Sequence, residues 1–82
     1  MKTLLKFGAT WCSNCKTLDK VLEQVDLNDC LLTPIDIDVD PELTKELNVR
    51  MLPTVVLLDT SGVEIKRFTG VKSKEFVLEF IS

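Results

Sequence analysis

The apolar pattern of this chain changes period near residue 12, and two cysteines sit on the change. Lys2 to Phe7 is a short apolar run that stops at Gly8-Ala9, the signature of a strand. From there Cys15, Leu18, Val21, Leu22 and Val25 recur at steps of three and four, one face of an amphipathic helix. Lys16, Asp19, Lys20, Glu23 and Gln24 fill its wet side, and Asp26-Leu27-Asn28-Asp29 ends it. Trp11-Cys12-Ser13-Asn14-Cys15 therefore joins a strand to a helix. That placement puts Cys12 at the helix start, where unpaired N–H groups and the dipole favour an anion. A thiol there is expected to be acidified and to react as a thiolate. Cys15, one turn further on and in line with Leu18 and Leu22, is expected to be the more buried of the two.

The remaining segments extend the alternation. Leu31 to Val39 reads as a strand, with Ile35, Ile37 and Val39 against Asp36, Asp38 and Asp40. Asp40-Pro41-Glu42 opens a short helix carrying Leu43 and Leu47 and closing at Asn48. Thr54 to Leu58 is a continuous apolar run too short for a helix, hence a buried strand. Asp59-Thr60-Ser61-Gly62 turns the chain into a second strand, Val63 to Phe68, where broken parity between Ile65 and Phe68 predicts a bulge. Ser73 caps a last helix with Phe76, Val77, Phe80 and Ile81 facing inward. The expected architecture is α/β: a four-stranded mixed sheet with three helices in the order βαβαββα, all in one domain over residues 1–82.

Composition removes several function classes. Ten basic against thirteen acidic residues leave a net charge of −3, which disfavours binding to nucleic-acid phosphates or to anionic membrane surfaces. There is no His, so neither Ser-His nor Cys-His catalysis is open to the chain. Half of a zinc site is the competing reading of the Cys pair, but zinc wants four ligands and one further Cys remains. No metal or other cofactor is expected. Three cysteines are too odd a number for a purely structural disulfide framework. Cys30 reads as a small core or strand-edge thiol. No targeting segment is recognised, and no stretch approaches the ~20 apolar residues that span a bilayer. The expected location is the cytoplasm, where thiols stay reduced.

Lys-Phe-Gly-Ala-Thr-Trp-Cys-Ser-Asn-Cys-Lys resembles the active-site segment of the thioredoxin family, and Asn48-Val49-Arg50-Met51-Leu52-Pro53-Thr54 resembles its second signature. The resemblance covers nearly the whole chain. It implies a thioredoxin-like fold, here a minimal core lacking the N-terminal strand and helix of full-length thioredoxins. It implies that Cys12 attacks and Cys15 resolves. It also implies that Pro53 is a cis-proline lying against the disulfide, and that the Leu52 backbone pairs with an extended substrate. Trp11 flanks the site, Asp38 accepts a bond from its indole, and Ser13, Gly70 and Val71 complete the substrate-binding rim. Ser13-Asn14 departs from the Gly-Pro of thioredoxins and the Pro-Tyr of glutaredoxins, which leaves the potential open. Lys6 stands where thioredoxins often bury an Asp, and Pro34 where its Lys partner would be. Lys6 is therefore expected beneath the Cys pair, its head reaching water or a carboxylate such as Asp36 or Asp38.

The function so implied is a monomeric thiol–disulfide oxidoreductase that reduces protein disulfides through a Cys12/Cys15 pair. Its electrons come from a separate reductase or from glutathione, with Leu52-Pro53-Thr54 favouring the reductase. A thioredoxin-like binding module, a glutathione-linked glutaredoxin-type reductase, and a dithiol carrier of metal or clusters are the alternatives.

Overall fold

In the computed structural model, which describes residues 1–82, seven elements follow in the expected order: β1 (Thr3–Gly8), α1 (Ser13–Glu23), β2 (Leu31–Asp36), α2 (Pro41–Glu46), β3 (Thr54–Leu58), β4 (Glu64–Thr69) and α3 (Lys74–Ile81). They form one mixed sheet ordered β2-β1-β3-β4. β1 runs parallel to β2 across the α1 crossover and antiparallel to β3, and β3 pairs antiparallel with β4 through the hairpin. Central β1 and β3 are buried on both faces, so their apolar residues run on rather than alternate, with Lys6 the one charged exception.

Strand parity divides the core in two. Leu4 of β1 packs with Val55 and Leu57 of β3, Phe68 of β4, Leu18 and Leu22 of α1, and Val77, Phe80 and Ile81 of α3. Leu5, Phe7 and Val56 face the other way, against Ile35, Leu43, Leu47 and Leu52. Lys6 and Gly8 share parity with Leu4, so they lie under α1, the helix that carries the cysteines. Cys30 packs at the margin of the larger cluster, as a small core thiol should.

Two expectations need correction, the end of β2 and the facing of Phe76, and a third, the bulge, is located more closely. β2 ends at Asp36 rather than Val39, because the Asp36 carboxylate accepts the Asp38 N–H at 2.9 Å and its carbonyl accepts those of Val39 and Asp40. An aspartate bonding its own backbone two residues on offers an alternative to the ladder and turns the chain, leaving Val39 in solvent. The β4 irregularity falls at Ile65, skipped between Leu57 opposite Lys66 and Leu58 opposite Glu64. The bulge thus lies at Ile65 itself, at the near end of the expected interval. Phe76 does not face inward but is 41% exposed; it meets Phe68 edge-on at 5.3 Å, with the Lys72 ammonium 5.2 Å from its ring centroid.

Candidate active site

The strand-to-helix junction after β1 sets the chemistry. The Cys12 N–H donates to the Ala9 carbonyl at 3.2 Å, closing a turn that leaves Cys12 extended (φ −95°, ψ 110°) as the N-cap of α1. Its Sγ accepts the Cys15 backbone N–H at 3.2 Å. A sulfur thus occupies the place a Ser or Asp oxygen takes in an ordinary N-cap, facing N–H groups that favour an anion. Cys12 is partly exposed, whereas Cys15 is 2% exposed. Burial pushes the Cys15 thiol up to about 11, and the neighbouring Cys12 side chain adds to the effect. A hydrogen bond to the Ala9 backbone and the positive charge of Lys6 act in the opposite sense. The asymmetry read from helical phase, an outer sulfur and an inner one, is present.

Cys12 opens onto a groove of about 400 Å³ lined by Trp11, Ile37, Thr44, Val49, Arg50, Met51 and Leu52. Trp11 is 67% exposed, and its indole Nε1 donates to Asp38 Oδ2 at 2.9 Å, which fixes the ring beside the sulfur. The Leu52–Pro53 bond is cis and Pro53 is fully buried. The Pro53 carbonyl accepts the N–H of Gly70, which has φ 82°, at 2.9 Å. That bond ties the end of β4 to the loop carrying Leu52. Ser13 is exposed as the first residue of α1, and Val71 is exposed beyond β4; neither lines the groove that holds Cys12. Thr44, Val49, Arg50 and Met51 do line it, and sequence reasoning gave them no binding role. Val49, Arg50 and Met51 lie in the loop between α2 and β3, whose inward and outward positions carry no periodicity to read, and Thr44 lies on the six-residue α2.

Lys6 lies beneath the Cys pair as expected, but its partner is neither Asp36 nor Asp38. The ammonium forms an ion pair with Asp19, one turn below Cys15 on α1. Asp36 instead accepts the Asp38 N–H, and Asp38 the Trp11 indole. Asp19, on the flank of α1 that overhangs β1, remains available, and a lone buried ammonium is too costly to leave unpaired. Gly8 belongs to the site as well. A Cβ at Gly8 would lie 3.2 Å from Cys15 Sγ and 3.5 Å from Lys6 Nζ, so the absence of a side chain admits both groups. The sequence signal was its parity with Lys6 immediately before the Cys pair. No three Cys, Asp or Glu side chains gather into a metal-holding group.

The whole chain, residues 1–82, matches the family model described as Thioredoxin. Over 82 residues it is 34% identical to a thioredoxin of Mycobacterium tuberculosis, an alignment covering 96% of this chain and 70% of that protein. It is also 35% identical over 82 residues to a bifunctional thioredoxin reductase/thioredoxin of Mycobacterium leprae, covering 96% of this chain but only 18% of that longer protein. A solved mutant thioredoxin from Halobacterium salinarum superposes with a TM-score of 0.88 at 28% identity, over 98% of this chain and 71% of the other.

Proposed function

This chain belongs to the thioredoxin family and is a thiol–disulfide oxidoreductase acting on protein disulfides; from that premise we propose that Cys12 is its attacking sulfur and Cys15 its resolving sulfur. The observation that carries the assignment is the contrast between them: Cys12 Sγ caps α1 and lines the groove, whereas Cys15 is buried and does not line it. Of the pair, only Cys12 presents its sulfur to solvent, where a sulfur on another protein can reach it.

The cycle conserves atoms and electrons. The Cys12 thiolate attacks one sulfur of the target disulfide, forming a mixed disulfide and expelling the other target sulfur, which takes up a proton. Cys15 loses its proton, attacks Cys12 Sγ and closes the Cys12–Cys15 disulfide. The second target sulfur leaves and is protonated in turn. Two electrons have passed to the target, and a reductase must return them. Trp11 and Leu52, which line the groove, serve as substrate-binding residues in this reading, with Ser13, Gly70 and Val71 as its rim. Asp38 and Pro53 support the site from behind.

The same reading makes residues 1–82 one monomeric domain in the cytoplasm, an electron carrier fed by a protein reductase rather than by glutathione. Supporting the single domain, both faces of one sheet carry an apolar core. Supporting the location, no helix is long and apolar enough to cross a membrane. Supporting the donor, Leu52-Pro53-Thr54 differs from the Thr-Val-Pro of glutathione-binding glutaredoxins. Insulin reduction tests both function and donor. With NADPH and a thioredoxin reductase, the protein should drive continuous NADPH oxidation that depends on insulin; with glutathione and glutathione reductase it should not. Activity only with glutathione would reassign the donor, and activity with neither donor would sink the reading.

A further inference from the structure

Lys6 is a charged side chain, 7% exposed, in the middle of a central strand. Its ion pair with Asp19 accounts for how the charge is tolerated but not for what it does. Three observations point the same way. Cys15 Sγ lies 3.2 Å and Lys6 Nζ 3.5 Å from the point where a Gly8 Cβ would stand, so the missing side chain brings the two groups into one small space. Both line one cavity of about 240 Å³, together with Lys16, Asp19, Pro34 and Asp36. The Asp19 side chain is 47% exposed against 9% for that of Lys6, so solvent screens the carboxylate far more than the ammonium.

We propose that Lys6 is a positioning residue for the resolving step: its ammonium stabilises the thiolate that Cys15 must form before it attacks Cys12. This rests on the Cys12/Cys15 assignment above. Burial opposes the ionisation of Cys15, and Lys6 brings a positive charge to it from β1. The proton leaves Cys15 through the cavity and is balanced by the one taken up on the departing target sulfur. The charged and titratable groups facing Cys15 are Cys12, Lys16 and Asp19 from α1, Lys6 from β1 and Asp36 from the end of β2. Asp19 holds Lys6 in place and partly neutralises it, so it tempers the effect rather than producing it.

The test separates attack from resolution in one experiment. Reduced protein is mixed with excess 5,5′-dithiobis(2-nitrobenzoate). Attack by Cys12 releases one coloured thiolate at a rate proportional to reagent, and resolution by Cys15 releases a second at a rate independent of it. Any reaction of Cys30 is bimolecular and separates with the first. The second rate should rise about tenfold per pH unit between about pH 6 and 9, because Cys15 is mostly protonated there.

Lys6→Met should displace that line downward by about three- to tenfold at every pH, with the first phase little changed. Lys6→Arg, which keeps the charge, should recover it to within about twofold of wild type. Asp19→Asn, which breaks the same ion pair but leaves the cation, should hold the line at or above wild type. A merely structural pair predicts that Lys6→Met and Asp19→Asn slow resolution alike, and that result would overturn the proposal. So would superimposed lines for wild type and Lys6→Met. A wild type with no reagent-independent phase would overturn the Cys12/Cys15 assignment itself, and this inference with it.

Discussion

Cys12→Ser should lose insulin reduction by on the order of 10³-fold or more, with folding intact. A serine hydroxyl can still accept the Cys15 N–H and cap α1, since Ser is a preferred N-cap residue. Helix and stability should therefore survive while the nucleophile is gone. The substitution separates the two duties that Cys12 combines, structural cap and reactive sulfur. Circular dichroism and urea unfolding should match wild type to within about 1 kcal/mol. Residual reduction above a few per cent would mean that another sulfur attacks. A collapse of stability would mean that the cap needs sulfur in particular.

Alkaline pH should destabilise the reduced protein specifically through Cys15. Its thiol ionises near 9.0 when unfolded and at about 11 when folded, raised first by burial and then by the Cys12 side chain. The folded state holds the proton more tightly. The resulting stabilisation is complete below about pH 9 and is lost as pH rises through about 11. A shift of this size corresponds to about 2–3 kcal/mol. Urea unfolding of reduced wild type and Cys15→Ala between about pH 8 and 11 reads it together with the interaction between Cys15 and Cys12, because the remaining titrating groups are common to both. The two unfolding free energies should converge by that amount as pH rises. Parallel curves would show that the Cys15 environment does not penalise its thiolate. The oxidised protein, with no thiol at residue 15 to titrate, should lack this pH dependence.

Much of this molecule is legible in its residues for identifiable reasons. The strand-to-helix switch at Cys12 and the helical phase of Cys15 are local periodicities, and local periodicity predicts which sulfur is outside. The parity of Leu4, Lys6 and Gly8 similarly places Lys6 under α1. What could not be read depends on competition between groups distant in sequence. Asp36 and Asp38 were the carboxylates expected for Lys6, yet its partner is Asp19, which helical phase puts on the wet side of α1, while Asp36 accepts the Asp38 N–H and Asp38 the Trp11 indole. The end of β2 turned on whether Asp36 would bond its own turn or leave the ladder intact, a balance of about 1 kcal/mol that periodicity cannot weigh. The helical phase of Phe76 is close enough to the core to look inward, yet the wedge between β4 and α3 is filled by Phe68 and Phe80, leaving Phe76 at its rim. The cis state of Leu52–Pro53 was implied by the family resemblance, since the residues around Pro53 are equally compatible with a trans strand-start proline.

The division of labour between the two sulfurs is tested most directly by trapping the covalent intermediate. Cys15→Ser, reduced and then mixed with a disulfide-bonded protein substrate, has no resolving thiol and should accumulate the mixed disulfide. Proteolysis and mass spectrometry of the adduct locate the linkage. Nearly all of the adduct should be joined through Cys12, with Cys30 still a free thiol, and wild type under the same conditions should show almost none. An adduct joined through Cys30, or equal amounts of adduct in wild type and Cys15→Ser, would contradict that division of labour.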